Sequence, residues 1–420
     1  MKALFWIDDN LNNRISYYHV MLMLVTLPFD QFYSHIVLIS FALHTLFHLK
    51  KEKLKEIFTQ RTLMLQAVFF ITLISLSYTL YPATAAIDIT RQLVILLFPL
   101  FFSLTSLNIT KYRDNLLTIF SAVCVVTVAG LYLYAFYLIH YFKLPVRAIF
   151  SDLFINHKFS APINMHATFL SLQIAVAFFF ILSQLFKAQA SKHKIILIIS
   201  AVLLLAGIIQ LGSKAVLVVI LAGVNIAVPY FLISTAKRSR YILITATLSV
   251  FIVAGALNIS SLKDRYVTGL ETDLSNPMAN ESVEPRIVRW QAAIEVAKQK
   301  PIIGYGAGSE LHILGDKYFN EKLYISYLHR LNAHNQYISF LLTTGLIGLL
   351  VYVVTLYSGF RIAFRENDLL FFVFVLLIAV VSLSESLLNA EKGVYFYSLF
   401  FSLFVFSNPE KVIERNYLFT

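Results

Sequence analysis

The chain has 420 residues, 58% of them hydrophobic and only 14% charged, with a mean hydropathy of +0.73. About a quarter of the residues of a soluble globular domain are charged, so that class is excluded and a polytopic membrane protein is expected. The net charge of +11 does not point to nucleic acid, because the basic residues sit mostly in short clusters between apolar segments, the pattern of cytoplasmic loops.

From the N-terminus, Met1 to Arg14 carries Asp8, Asp9 and several Asn, which predicts no cleavable signal peptide. A membrane-spanning helix needs roughly 20 mostly apolar residues. Twelve segments qualify, at about 17–30, 32–49, 62–80, 88–108, 116–140, 164–186, 194–210, 214–235, 241–258, 336–358, 368–386 and 393–408. The expected fold is therefore all-α, a polytopic transmembrane bundle of about 12 spans forming a single domain over 1–420. The one cysteine, Cys124, lies in an apolar run, so no disulfide framework exists.

Lys and Arg then orient the chain. With a cytoplasmic N-terminus, 19 of them fall inside, counting the tails with Lys2, Arg14, Lys411 and Arg415. The short outer loops hold only Lys143, Arg147 and Lys158. Such an asymmetry over short loops sets orientation, so both termini are expected in the cytoplasm. Two polar segments then fall outside: a smaller loop at 141–163, and a long, partly helical one at 259–335 between spans nine and ten.

Candidate residues follow in chain order. Ionisable groups at membrane depth are costly and count as functional hypotheses; Arg91 opens the fourth span, Asn164 and His166 the sixth. Lys214, in Gly212-Ser213-Lys214, lies at the outer end of two spans, where it either meets an anion or snorkels. In the long loop, Pro285 is placed to open a helix and Pro301 to close it. Ile287, Trp290, Ile294 and Ala297 recur at helical spacing and predict its apolar, membrane-facing side. Arg286 and Arg289 are neighbours on that helix. A guanidinium forks onto two phosphate oxygens, so the pair suits a diphosphate, against the plainer reading of solvated or headgroup-facing arginines.

Gly304-Tyr-Gly306-Ala-Gly308 neither follows a strand nor opens a helix, which excludes a dinucleotide fingerprint and suggests a tight turn near the membrane surface. Asn335 is a natural N-cap for the following span, in which Gly345 and Gly348 are expected to allow close helix packing. His334 sits at the water–membrane boundary, where an imidazole can take a proton from an attacking hydroxyl or be a plain interfacial residue. Glu385 or Glu391 is expected to pair with Lys392 or an arginine of the outer loop. No zinc spacing, calcium loop, Walker loop or paired-aspartate metal motif occurs on the outer face, so metal-independent chemistry without a cofactor is expected.

Four pieces in order resemble the O-antigen ligase family of ligases and related polymerases: Gly212-Ser213-Lys214-Ala215, Arg286-Ile-Val-Arg289-Trp290-Gln-Ala-Ala293, Pro301-Ile-Ile-Gly304-Tyr-Gly306-Ala-Gly308, and His334-Asn335-Gln-Tyr337 with Thr344-Gly345-Leu-Ile-Gly348-Leu. The resemblance covers about 200–400. It implies an inner-membrane glycosyltransferase that moves a glycan from undecaprenyl diphosphate to a hydroxyl of lipid A core or of another glycan, at the periplasmic face. His334 matches the family's essential histidine and Arg286 its diphosphate-engaging arginine. Lys214 stands where the family usually has arginine, which keeps the charge and loses the fork.

Together these predict His334 and Arg286 as catalytic, with Arg286, Lys214 and Arg289 on the diphosphate and Asn335, Arg91 and Trp290 in support. The expected partners are the undecaprenyl diphosphate glycan, a lipid A core or glycan acceptor, and membrane lipid, with inversion at the anomeric carbon. An O-antigen polymerase is the nearest alternative. A lipid-linked oligosaccharide flippase or transporter is the alternative of another class, though transporters typically carry paired broken helices at the midplane and none is legible.

Overall fold

The computed structural model describes residues 2–274 and 284–408, and among these every regular element is helical. Seven helices are long and apolar enough to cross a membrane, or eight if the pair Lys51–Phe58 and Gln60–Ser75, bent by 58°, is one span. Each of the twelve expected segments carries a helix, but Leu11–Thr26, Gln31–Phe47, Leu369–Val381 and Glu391–Ser407 fall short of spanning length. The protein is a multi-pass membrane protein. Lys411 and Arg415, counted among the inside charges, and part of the 259–335 loop lie outside the described residues.

Burial separates the helices. Glu391–Ser407 lies at the centre, buried from Gly393 to Ser407, whereas Thr235–Leu257 has no buried residue and displays Leu243, Leu248 and Phe251. Lipid is as apolar as leucine, so a bundle of this kind is held by close packing and polar contacts rather than by escape from water. Phe374 supplies the packing, meeting Phe396, Phe400, Phe401 and Phe404 at centroid distances of 5.8, 6.0, 5.7 and 5.4 Å. Arg113 supplies a polar tie by gripping Asp368 with two nitrogens at 2.6 and 2.8 Å.

The loop beyond Leu257 forms a small helical cap with its own core, in which Ala292, Ala293, Val296 and Ala297 pack with Leu314, Tyr318, Ile338 and Leu342. This corrects the expected apolar face of Arg286–Ala297: Ile294 is exposed and the alanines are buried, because small side chains let the neighbouring elements approach closely. The helix starts at Arg286, with Pro285 as its N-cap residue, and ends four residues before Pro301.

The glycine loop stitches this cap to the bundle. Tyr305 and Gly306 donate to Leu342 O and Thr343 O at 2.8 and 2.7 Å, Ala307 N to Ser75 Oγ at 3.0 Å, and Tyr78 to Ile303 O at 2.7 Å. Gly306 has φ +91° and lies against the Thr79 backbone, where a Cβ would collide. The helix after His334 is not continuous as expected. It breaks between Gln336–Thr343 and Gly345–Arg365, where Gly345 takes φ +64°. Its close approach is to the Ile302 backbone of the cap, not to another helix. The break is filled by cap backbone, so it is no midplane cavity of the transporter kind.

Candidate active site

Lys214 owes its position to Gly212, which ends Ser191–Leu211 in the left-handed conformation at φ +61°, the usual glycine C-cap. Ser213 then turns the chain and Lys214 begins the next helix. From the cap, Arg286 reaches the same place. Asp273 bridges the two, with Oδ2 3.2 Å from Lys214 Nζ and Oδ1 3.5 Å from Arg286 Nε. Arg286 also donates to Ser384 O at 2.8 Å, which ties the cap to the turn between the last two helices.

Arg265 was not singled out by the sequence, and it belongs here. Its Nε donates to Gly212 O at 3.1 Å, and its side chain lies over Gly212, where a Cβ would meet it. Burial and the charge of Arg286 work against its cation, while Asp273 and Glu385 favour it. Arg265 has no motif around it, and only contact with the Gly212 turn identifies it. Three cations, Lys214, Arg265 and Arg286, thus crowd one carboxylate, Asp273.

His334 stands beside this cluster on a backbone that its own sequence does not favour. Its φ is +46°, a left-handed conformation uncommon for any residue but glycine. The surroundings impose it. Asn332 Oδ1 accepts from His334 N at 3.0 Å, Trp290 Nε1 donates to Ala333 O at 2.8 Å, and Glu310 Oε1 accepts from Ala333 N at 3.1 Å. Asn335 caps the following helix through Tyr337 N and Ile338 N, and its amide donates to Leu383 O at 3.2 Å. Glu310 further accepts from Ser339 Oγ and Asn389 Nδ2. Burial raises the Glu310 carboxyl above the usual range, partly offset by the Ser339 and Ala333 donors.

The partner of His334 is Glu385, with Oε2 3.5 Å from Nδ1. Expectation had paired Glu385 with Lys392 or a cap arginine; the loop conformation gives it to the imidazole instead. Burial raises this carboxyl, but the His334 hydrogen bond and the charges of His166, His334 and Arg286 outweigh it and hold Glu385 below the usual range. Thr168 Oγ1 reaches its other oxygen at 3.4 Å. Just outside the helix Ala167–Lys187, His166 is pushed down to about 4 by burial, against the opposing pull of the Glu385 carboxylate.

Lys214, Arg286 and His334 are therefore brought together around Asp273 and Glu385, and two of the expected residues are not. Arg289 is buried in the cap, 5% exposed, with Nη1 3.5 Å from Asn332 O; it holds the backbone before His334 rather than facing Asp273. Arg91 pairs with Asp88 at 3.0 Å on the far side of His166. Trp290 and Asn335 act on the His334 loop through the bonds given above. No group of three or more His, Cys, Asp or Glu among the described residues could hold a metal.

No curated protein matches the chain. A family model does, and its match runs from within Ser191–Leu211 to within Gly345–Arg365, taking in Lys214, Arg265, Arg286, Arg289 and His334 but neither Glu385 nor Arg91. Residues 199–353 match the family model described as O-antigen ligase, and over this stretch the chain is similar to that family.

Proposed function

We propose that the protein is a membrane glycosyltransferase that moves an O-antigen type glycan from undecaprenyl diphosphate to a hydroxyl of lipid A core, at the periplasmic face of the bacterial inner membrane, with both termini cytoplasmic. The observation that carries this reading is the adjacency of two different devices: a cation cluster sharing one carboxylate, and a carboxylate-held histidine beside it. A diphosphate is the anion that such a cluster suits. It brings more negative charge than Asp273 and can engage Arg286 by its fork, with Lys214 as a point charge.

Glu385 accepts from His334 Nδ1–H, which fixes the tautomer that leaves Nε2 with a lone pair. Nε2 takes the proton of the acceptor hydroxyl as its oxygen bonds to the anomeric carbon. The bond from that carbon to the diphosphate oxygen breaks on the opposite face, inverting the centre. Lys214, Arg286 and Arg265 stabilise the charge that collects on the departing diphosphate. The helix starting at Lys214 adds N–H groups at its N-terminus, where anions are favoured. No metal or cofactor enters this scheme.

The test is transfer from a defined undecaprenyl diphosphate glycan to purified lipid A core. His334→Ala and Arg286→Ala are each expected to lose about 100- to 1000-fold, the scale of a lost general base or oxyanion-type donor. Equal transfer by both variants and wild type would overturn the roles. Transfer to a second lipid-linked glycan but never to lipid A core would make the protein a polymerase.

A further inference from the structure

Two adjoining cavities lie across the His157–His166 pair from the cation cluster. The larger, of about 750 Å³, is walled in part by Asp30, Arg91, Asn164, His166, Asn389 and Glu391. The smaller, of about 330 Å³, follows Ile87, Thr90 and Val94 down the flank of Pro82–Leu104 and shares Gln31, Arg91 and Glu391 with the first. Both volumes fall in the range of roughly 300–1,000 Å³ typical of small-molecule sites.

The charge of the larger wall is balanced. Arg91 is held by Asp88, and Lys392 Nζ donates to Phe29 O at 2.9 Å and Asn164 O at 3.3 Å, with the carboxylates of Asp30 and Glu391 close by. A diphosphate therefore has no reason to prefer this cavity over the Lys214, Arg265 and Arg286 cluster. A polyhydroxylated group does fit, since each hydroxyl both donates and accepts and the wall offers both kinds of partner. Two atoms point the same way: Gln31 Oε1 and His166 Nδ1 are buried without a hydrogen-bond partner among the described residues, and buried polar atoms are ordinarily satisfied.

The cavity wall is linked to the His334–Glu385 pair through its neighbours. His166 precedes Thr168 by two residues, and the Thr168 hydroxyl reaches Glu385. Asn389, in the wall, donates to Ser339 Oγ at 2.9 Å within the network that holds the His334 loop. The smaller cavity is different in kind. Ile87 on its wall is 58% exposed, on a helix long and apolar enough to span, so an apolar tail can enter there.

We propose that the larger cavity binds the sugar headgroup of a lipid-anchored acceptor and that the smaller one admits its apolar tail sideways from the bilayer. This rests on the reading of His334 as the base for the acceptor hydroxyl. It brings acceptor and leaving diphosphate in from different sides of the His334–Glu385 pair, so that the hydroxyl can approach the anomeric carbon on the face opposite the breaking bond to the diphosphate oxygen.

The experiment uses Ala161→Trp and Ala86→Trp, exposed alanines on the walls of the larger and smaller cavities, in full-length protein reconstituted in nanodiscs. Binding of purified lipid A core without donor is expected to weaken about tenfold in each, equivalent to about 1.4 kcal/mol. In transfer assays the acceptor KM rises by the same factor, while donor KM and donor hydrolysis stay at wild-type values. Unchanged acceptor binding and KM in both variants would overturn the proposal, as would a rise in donor KM instead or a wild type that does not bind lipid A core. Acceptor binding that the variants weaken, with no transfer by wild type, would sink the proposed reaction and leave the cavity assignment standing.

Discussion

The two flanks of Glu385 are built on opposite principles. On one side His334 sits on a loop whose backbone is fixed by Glu310, Trp290, Asn332 and Asn335. On the other, Lys214 and Arg286 are long side chains that share Asp273, which is far in sequence from Lys214 alone. A proton acceptor must be held within tenths of an ångström of its hydroxyl, so it is worth fixing a costly left-handed backbone around it. Under the proposed function the cations follow a leaving group and need reach more than rigidity, and the shared carboxylate of Asp273 keeps them together.

The largest effect is expected from the rigid flank. Glu310→Ala leaves Ala333 N, the Ser339 hydroxyl and the Asn389 amide without their common acceptor. The cost is expected at about 2–4 kcal/mol, since each orphaned buried group costs about 1–3 kcal/mol, read as a lower thermal midpoint together with loss of transfer. Glu310→Gln keeps one carbonyl acceptor and should recover part of both. A midpoint unchanged by Glu310→Ala would mean that the loop holds its conformation without this clamp.

Glu385→Gln comes next, with transfer about 100-fold down and donor KM unchanged, because the imidazole loses the partner that fixes its tautomer. The pH dependence has a definite sign. The folded-state pKa of Glu385 lies below the ordinary glutamate value of 4.5, held there by His334, His166 and Arg286 against burial. Its contribution to stability is therefore fully present above that value and is lost as pH falls through the depressed one. A wild-type acid limb in thermal stability that Glu385→Gln lacks is the expected result; identical profiles would remove Glu385 from the pair.

The same contrast explains what the sequence disclosed. The bundle was legible because apolar runs of spanning length are a composition signal, although short helices such as Leu369–Val381 show that run length overstates helix length. His334, Lys214 and Arg286 were legible from motif order and from the topology that puts them on one face. The break at Gly345 was not, because its cause is the Ile302 backbone some forty residues away in sequence. Nor was the division between Arg286 and Arg289: three residues apart on a helix, they look equivalent, and only packing sends one to Asp273 and the other under the His334 loop. Arg265 carries no local pattern at all, and Glu385 stood out only as an ionisable group near the last turn, with nothing in the sequence to pair it with His334. Both are defined by what a distant turn brings to them.

On the flexible flank the effects are smaller. Lys214→Arg restores the fork that lysine lacks and is expected to keep transfer within a few-fold of wild type or raise it, with any gain in donor KM. Total loss would mean that the site is shaped to an ammonium and that the diphosphate is gripped elsewhere.

The smallest effect separates a placeholder from a structural tie. Asp273 stands between Lys214 and Arg286, where the proposed function puts a diphosphate oxygen. Donor binding then exchanges one anion for another, and the affinity measured is the difference between them. Asp273→Asn removes the competing charge and leaves a neutral group of the same size, so donor KM is expected to fall by roughly two- to fivefold, under the ~1.4 kcal/mol that a tenfold change represents, while kcat and acceptor KM hold. A rise in donor KM would show the opposite: that Asp273 positions the cations for the ligand, and that this flank too is preorganised.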